Sequence, residues 1–520
     1  MITKAMRRLV VSTFALIILA ASAPAQDAGQ VLRLSVGYNT LKNSTTLSAE
    51  KRAEVDRLGK LAQEASLAKK YGEALKHYYH AITIMRGSEW TPARALSTAL
   101  TLKLDRAVVE PSHTVRVEVG QIFSLDEKPG DKLVGTFTLN APNGNAPLKV
   151  LKVVQDVEAD FKSKPLVTDL VVPEIEDGKY RLTVTFKPAD GPASSASGAD
   201  AAEAATKNST IHVERGITSE IQNARARLTK TEAKLKSGKQ EGLLAALYSA
   251  AYRIRLFDLA NSGEINPDRI NFKTEIKEAL SLLDSLDAGK NPFETRRGDF
   301  RRAYLSKVDD TLQPYRIFVP SSYDGTKAFP LVIALHGMGG DENSYFDSYQ
   351  QGTFKVEAGR RGYIVACPKG RQPASMYLGP AEKDVLDVIA EVRRDYKIDA
   401  DRIYMTGHSM GGYGTWSIAM NHPDLFAALA PVAGGGNPTG MAKIAHIPQF
   451  VVHGDDDKTV PVDRSRVMVA AGKERGAEIK YLEIPGGDHI TVAHRTFKDV
   501  FDWFDAHKRN AAKSKAATTR

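Results

Sequence analysis

Gly407-His408-Ser409-Met410-Gly411 follows a strand-like run, Arg402-Ile403-Tyr404-Met405-Thr406, and leads into a helix-like one that extends from Tyr413 to Met420. A serine between two glycines at a strand-to-helix junction is the pattern of a nucleophile elbow. The turn is so sharp that a side chain on either flanking small position would collide. Gly407 and Gly411 remove those side chains and tolerate the strained backbone. The serine Oγ is thereby lifted above the end of a sheet, beside a helix N-terminus where negative charge is favoured.

A hydroxyl needs a base, and the base needs an orienting carboxylate. Behind an elbow of this kind the partners follow in the order acid, then histidine. Downstream, an apolar strand Ile447-Pro448-Gln449-Phe450-Val451-Val452 runs into His453-Gly454-Asp455-Asp456-Asp457. A second strand, Ile479–Ile484, runs into Pro485-Gly486-Gly487-Asp488-His489. Both acid and histidine therefore fall just past strand C-terminal ends, where open α/β sheets place ligands. Asp457 is the expected acid, because the turn after it opens a new helix, and His489 is the expected base. Asp455 and Asp456 read as loop caps, while His408, His453 and His494 are the lesser candidates for the base. Upstream, Phe329–Leu335 reads as a buried strand entering His336-Gly337-Met338-Gly339-Gly340. That loop is the expected place for half of an oxyanion hole, with the backbone N–H groups of Met338 and Met410 as donors.

From about Ala303 to Trp503 the chain resembles a group of secreted α/β-hydrolases. The group takes in feruloyl esterases, polyhydroxybutyrate-depolymerase-like esterases, phospholipase/carboxylesterases and peptidases related to prolyl oligopeptidase. The resemblance rests on Gln313-Pro314-Tyr315-Arg316, on Leu335 to Glu342, on Asp401 to Gly412, on Pro423-Asp424-Leu425-Phe426, on His453 to Pro461 and on Pro485 to His489. It implies Ser409 as nucleophile, Asp457 as acid, His489 as base, and Met338 and Met410 as oxyanion donors, with Gly337, Gly407 and Gly411 as motif glycines. It implies no cofactor and no metal, and an ester substrate, polymer-linked or plant-polysaccharide esters included. The chain departs from the pattern after the histidine, where Ile490 and Thr491 stand in place of an early aromatic residue.

The 520 residues suit several domains, and 42% hydrophobic with 26% charged residues is an ordinary globular balance. The start reads as an export signal: Lys4, Arg7 and Arg8, an apolar stretch Leu9–Ala20, then Ala23-Pro24-Ala25, with residues 1–25 expected to be removed. A secreted or periplasmic protein with no stable membrane anchor is the expectation. The single cysteine, Cys367, lies in a strand-like run and reads as a core residue; it precludes an internal disulfide. Net charge is +9, partly from the signal and from a basic tail over 509–520 that is expected to be disordered. No aromatic–basic interleaving points to nucleic acid.

The overall expectation is an α/β chain whose C-terminal α/β-hydrolase domain, residues 292–508, is preceded by helical segments and an immunoglobulin-like β-sandwich. Residues 26–97 read as helical, with Tyr71, Ala74, Leu75, Tyr78 and Ala81 marking the apolar face of a hairpin. Residues 98–215 alternate like strands, as in Val115–Val119, Leu133–Leu139 and Tyr180–Phe186, with turn signals at Asn143-Gly144 and Asp177-Gly178. A low-complexity segment, Pro188–Ala205, interrupts them and reads as a loop. Residues 216–291 are helical again, and a fragment beginning near Asn291 is expected to fold without them. Three rivals accompany the esterase reading: a peptidase of prolyl-oligopeptidase type, a carbohydrate- or partner-binding protein dominated by its N-terminal modules, and a metal-dependent hydrolase using His453 and Asp455–Asp457. The sequence leaves the oligomeric state and the roles of Phe346 and Trp416, in pocket or core, open.

Overall fold

The computed structural model describes residues 23–141, 147–189, 204–371 and 374–509. The apolar stretch Leu9–Ala20, the Asn143-Gly144 turn, most of the low-complexity segment and the tail beyond Arg509 lie outside the described residues. The chain divides into two units, Met1–Thr91 and Pro92–Arg520.

In the first unit, α1 (Ala23–Ser44), α2 (Ala49–Leu67) and α3 (Tyr71–Met85) pack together. Ser48 caps α2 by accepting from the Lys51 N–H. Val55, Leu58, Ala62 and Ala65 of α2 and Ala74, Leu75, Tyr78 and Ala81 of α3 are buried, the helical spacing that brings the two into a hairpin. The α1 helix closes on this pair, and Tyr38 Oη donates to the Val55 carbonyl at 3.1 Å.

The second unit begins with α4 (Pro92–Ala99) and eight strands: β1 (Leu100–Leu104), β2 (Val108–Val109), β3 (Thr114–Gln121), β4 (Lys132–Asn140), β5 (Pro147–Glu158), β6 (Leu166–Val171), β7 (Gly178–Pro188) and β8 (Ala205–Val213). They form two sheets, of order β1-β3-β6 and β2-β8-β7-β4-β5. Alternate residues point to one shared core, with Val115, Val117 and Val119 meeting Leu133, Phe137 and Leu139 and meeting Leu182, Val184 and Phe186.

Three helices follow, α5 (Ile217–Ser237), α6 (Glu241–Asn261) and α7 (Phe272–Asp287), with Asn271 capping α7. An eight-stranded sheet comes next: β9 (Gly298–Leu305), β10 (Leu312–Val319), β11 (Phe329–Leu335), β12 (Ile364–Pro368), β13 (Ile398–His408), β14 (Ala428–Val432), β15 (Gln449–Gly454) and β16 (Ile479–Ile484). Its order is β9-β10-β12-β11-β13-β14-β15-β16, with β10 antiparallel to both neighbours and every later pairing parallel. This is the α/β-hydrolase arrangement. The central strands are apolar on both faces, as a doubly covered parallel sheet requires. Leu331, Ile333 and Leu335 of β11 point to one face, Val332 and Ala334 to the other. On the second face lie α8 (Thr353–Arg361) and α13 (Phe497–Ala506), with Phe354, Phe497, Phe501 and Phe504; Cys367 and Phe346 are core residues there. On the first face lie α9 (Pro380–Asp395), α10 (Met410–Asn421) and α11 (Asp463–Glu474). Trp416 is also core, its indole N–H donating to Gln449 Oε1 at 2.9 Å.

The structure differs from the sequence expectation at the 291/292 boundary. Helices α5–α7 share their hydrophobic cluster with the hydrolase sheet: Ile276, Leu283 and Leu286 belong to the same core as Phe300, Tyr315 and Ile333. Helix α6 lies along β9, the outer strand of the sheet. Ser249 Oγ accepts from the Ala303 N–H at 3.0 Å, a donor that faces away from β10, where Pro314 stands opposite. A strand edge is thus covered by a helix.

Candidate active site

Each element delivers one part of the site to the same edge of the sheet. Ser409 stands between β13 and α10 with φ 57° and ψ −118°, a conformation L-residues rarely adopt. A Cβ on Gly411 would overlap the Leu335 carbonyl, and one on Gly407 would overlap the backbone of Gly411. Only glycine at both positions lets β13, α10 and β11 approach this closely.

His489, in the loop after β16, places Nε2 2.9 Å from Ser409 Oγ and Nδ1 2.7 Å from Asp457 Oδ2. Asp457, in the loop after β15, accepts with Oδ1 from the N–H groups of Thr459 (2.9 Å) and Val460 (2.8 Å). Burial works against its charge, but the hydrogen bonds from His453 and His489 outweigh it and hold the carboxyl well below the usual range. The structure therefore brings Ser409, His489 and Asp457 into one hydrogen-bonded line. The neighbouring aspartates diverge: Asp455 accepts from the Gly486 N–H at 2.7 Å, and Asp456 pairs with Lys458 at 2.6 Å. His453 is fully buried behind Asp457; its Nε2 donates to the Val460 carbonyl at 2.9 Å and lies 3.2 Å from Asp457 Oδ2. His494 lies in α12 (Val492–Arg495), and its Nδ1 has no partner among the described residues.

The loop after β11 folds over the serine. A Cβ on Gly337 would sit 3.4 Å from Ser409 Cβ, and Gly340 N–H closes a turn onto the Gly337 carbonyl. The Met410 N–H opens α10 and has no intrahelical acceptor. Met338 follows Gly337 in the same loop, and its N–H donates to no acceptor among the described residues.

Sequence reasoning missed the support behind this line of three residues. His408 Nε2 donates to the His489 carbonyl at 2.7 Å, so its Nδ1 is the acceptor for Tyr349 Oη at 3.1 Å. Tyr349 Oη in turn accepts from the Gly337 N–H at 3.3 Å. One buried relay thus ties the loop after β11, the elbow and the histidine loop together. Burial, then the neighbouring His489, pushes the His408 imidazole down to about 3, so it stays neutral. Burial pushes the Tyr349 phenol up to about 12 and keeps its proton in place. His408 lies inside the elbow motif, where the sequence suggests a base rather than a relay; for Tyr349, sixty residues earlier in the chain, no local signal exists.

The sequence profile of the prolyl oligopeptidase family matches residues 380–450, the span from α9 through the elbow to β15. The bifunctional acetylxylan esterase/xylanase XynS20E of Neocallimastix patriciarum is 35% identical over 134 residues, 25% of this chain and 19% of that protein. A probable feruloyl esterase C of Aspergillus oryzae is 27% identical over 230 residues, 42% of this chain and 83% of that protein. The C-terminal domain has the α/β-hydrolase fold and is similar in sequence to feruloyl and acetylxylan esterases. The chain spans about a fifth of the first of these relatives, so the likeness there is to one module of a longer protein. Among solved structures, a thermostable esterase covers 79% of this chain and 100% of its own, at 20% identity and a TM-score of 0.37. No helix among the described residues is long and apolar enough to cross a membrane.

Proposed function

We propose that this chain hydrolyses carboxylic esters by acyl transfer through Ser409. The observation that carries the reading is the line Ser409 Oγ–His489–Asp457 at 2.9 and 2.7 Å, with the serine held at φ 57°. His489 Nε2 takes the Ser409 proton as Oγ attacks the ester carbonyl carbon, and Asp457 stabilises the resulting imidazolium and fixes its tautomer. The carbonyl oxygen becomes an oxyanion held by the N–H groups of Met338 and Met410. His489 then protonates the departing alcohol, leaving an acyl-serine; water attacks it with the same base and restores the enzyme.

The relatives named for acetylxylan and feruloyl esters support a polymer-linked ester as substrate, and the basic, apolar start of the chain supports export. The two-sheet unit reads as an immunoglobulin-like sandwich. Its orders β1-β3-β6 and β2-β8-β7-β4-β5 support this, with β2 parallel to β8 and Tyr180 Oη donating back to the Glu176 carbonyl at 2.8 Å near the start of β7. The match to the prolyl oligopeptidase family favours amide hydrolysis as a second reading.

A panel of p-nitrophenyl, feruloyl and acetyl-xylan esters beside blocked and free peptide amides separates the two. Ester turnover and fluorophosphonate labelling should both vanish in a folded Ser409→Ala protein. Retained turnover in that variant sinks the reading, and amide turnover exceeding ester turnover moves it to the peptidase.

A further inference from the structure

The loop that carries Met338 continues through Asp341, Glu342 and Asn343; Glu342 is buried and Asn343 half-buried against arginines of the two outer strands, β9 and β10. Arg301, on β9, sits at the junction. Its Nη1 donates to Glu275 Oε1 of α7 at 2.7 Å, its Nη2 to Asn343 Oδ1 at 3.3 Å, and its Nε lies 3.4 Å from Glu342 Oε1. Glu275 is gripped from the other side by Arg253 of α6. Asn343 Oδ1 also accepts from Arg316 Nη1 of β10 at 2.7 Å. The side chains of Arg253 and Glu342 are each 6% exposed, those of Arg301 and Glu275 14% and 16%. In this setting charges are costly to hold unless each is paired. Tyr252 of α6 lies close enough that the Glu342 carboxylate, after burial itself, helps push its phenol up.

Between this anchor and Met338 the chain has little freedom. Gly340 N–H bonds the Gly337 carbonyl, Asp341 N–H bonds Ser344 Oγ at 3.1 Å, and Asn343 N–H bonds Asp341 Oδ1 at 2.9 Å. A Cβ on Gly340 would press on Ser344 Oγ at 2.7 Å. Displacement at Glu342 or Asn343 is therefore passed to Met338 rather than absorbed by the loop. A backbone donor helps only if it is already aimed where the oxyanion forms, and a misplacement of about 1 Å costs on the order of a hundredfold in rate.

We propose that helices α6 and α7 position the oxyanion loop through Glu275 and Arg301, which act as positioning residues for the Met338 N–H. Neither touches the reacting atoms. This inference rests on the reading of Met338 as an oxyanion donor. It assigns the helices before the hydrolase sheet a part in transition-state stabilisation that no triad residue reveals.

The test uses the full chain and a p-nitrophenyl ester. Glu275→Gln removes the charge that holds both arginines; Arg301→Lys keeps the charge but loses the guanidinium fork. Asp284→Asn, in the exposed Arg227 pair between α5 and α7, is the control for a change elsewhere in the same helix. Folding is read by circular dichroism and urea midpoint. For folded Glu275→Gln and Arg301→Lys, kcat should fall roughly ten- to a hundredfold with KM nearly unchanged. The inhibition constant of an alkyl boronic acid, which forms a tetrahedral adduct with the serine, should weaken by a comparable factor. A purely structural role would lower the urea midpoint without separating kcat and boronate affinity from KM. An unchanged kcat and boronate affinity in either folded variant overturns the proposal, as does loss of folding in both, which would make the cluster a stability element only. If Ser409→Ala keeps its turnover, the reading of the site itself falls; if Ser409→Ala is inactive while Glu275→Gln is normal, only the coupling falls.

Discussion

At the scale of single residues, the acid is the sharpest choice the sequence offered. Three aspartates stand in a row, and one backbone turn decides between them. Asp457 is 5% exposed and faces His489; Asp456 sits in solvent beside Lys458; Asp455 holds the Gly486 N–H in the loop that leads to the histidine. Asp457→Asn should lower kcat by roughly 10³–10⁴, since an amide favours the wrong imidazole tautomer. Asp456→Asn should stay within about threefold of the wild type, and Asp455→Asn should fall between them through the loop it braces. Steady-state kinetics on one soluble ester checks the ranking, and a more damaging Asp456→Asn would reassign the acid. That Ser409, Asp457 and His489 would meet was legible because each follows an apolar strand and precedes a turn, a pattern written in consecutive residues. The Tyr349–His408 relay and the Arg301 junction were not, because their members meet only after the sheet has assembled from distant strands.

Among elements, α5–α7 carry the main lesson. A helical reading of residues 216–291 implies a face to bury, but it does not say what covers that face. In the fold, Phe272, Ile276, Leu282, Leu283 and Leu286 of α7 are nearly inaccessible and lie in the same cluster as the hydrolase strands. A fragment beginning at Asn291 is therefore expected to be insoluble or to unfold at much lower urea than the whole chain. One beginning at Gly216 should retain more of the fold. Leu283→Ala in the full chain should cost about 2–5 kcal/mol, read from the urea midpoint and slope. A soluble, fully active 291–520 fragment would show that the shared core is dispensable. By contrast, the strands of the hydrolase sheet and the two sheets before it were visible from alternation and from continuous apolar runs, signals that need no tertiary knowledge.

For the molecule as a whole, acid is the expected weakness. Burial pushes the His408 imidazole down to about 3 in the folded chain, against an ordinary value of about 6.5 when unfolded, so between those values the unfolded chain binds the extra proton. Its contribution is complete above about pH 6.5 and is lost as pH falls toward 3, a difference of a few kcal/mol. Asp457, lowered by its histidine partners, has the same sign at lower pH: its contribution is present above the ordinary carboxylate range and is lost as pH falls through its folded value. A formal charge of +9 at pH 7 grows more positive over the same range and adds self-repulsion. Urea midpoints at pH 7.5 and 4.5 should therefore differ markedly, and the gap should narrow in His408→Gln; an unchanged gap would remove His408 as the cause. The seam between Ser249 and Ala303 has a bearing on engineering. Because the outer strand of the sheet is closed by a helix from earlier in the chain, the C-terminal domain should not be grafted onto another protein at the usual strand boundary. Such a fusion would leave β9 with bare peptide groups facing solvent, ready to pair with a second chain, and its failure would first show as self-association that grows with concentration rather than as a lost active site.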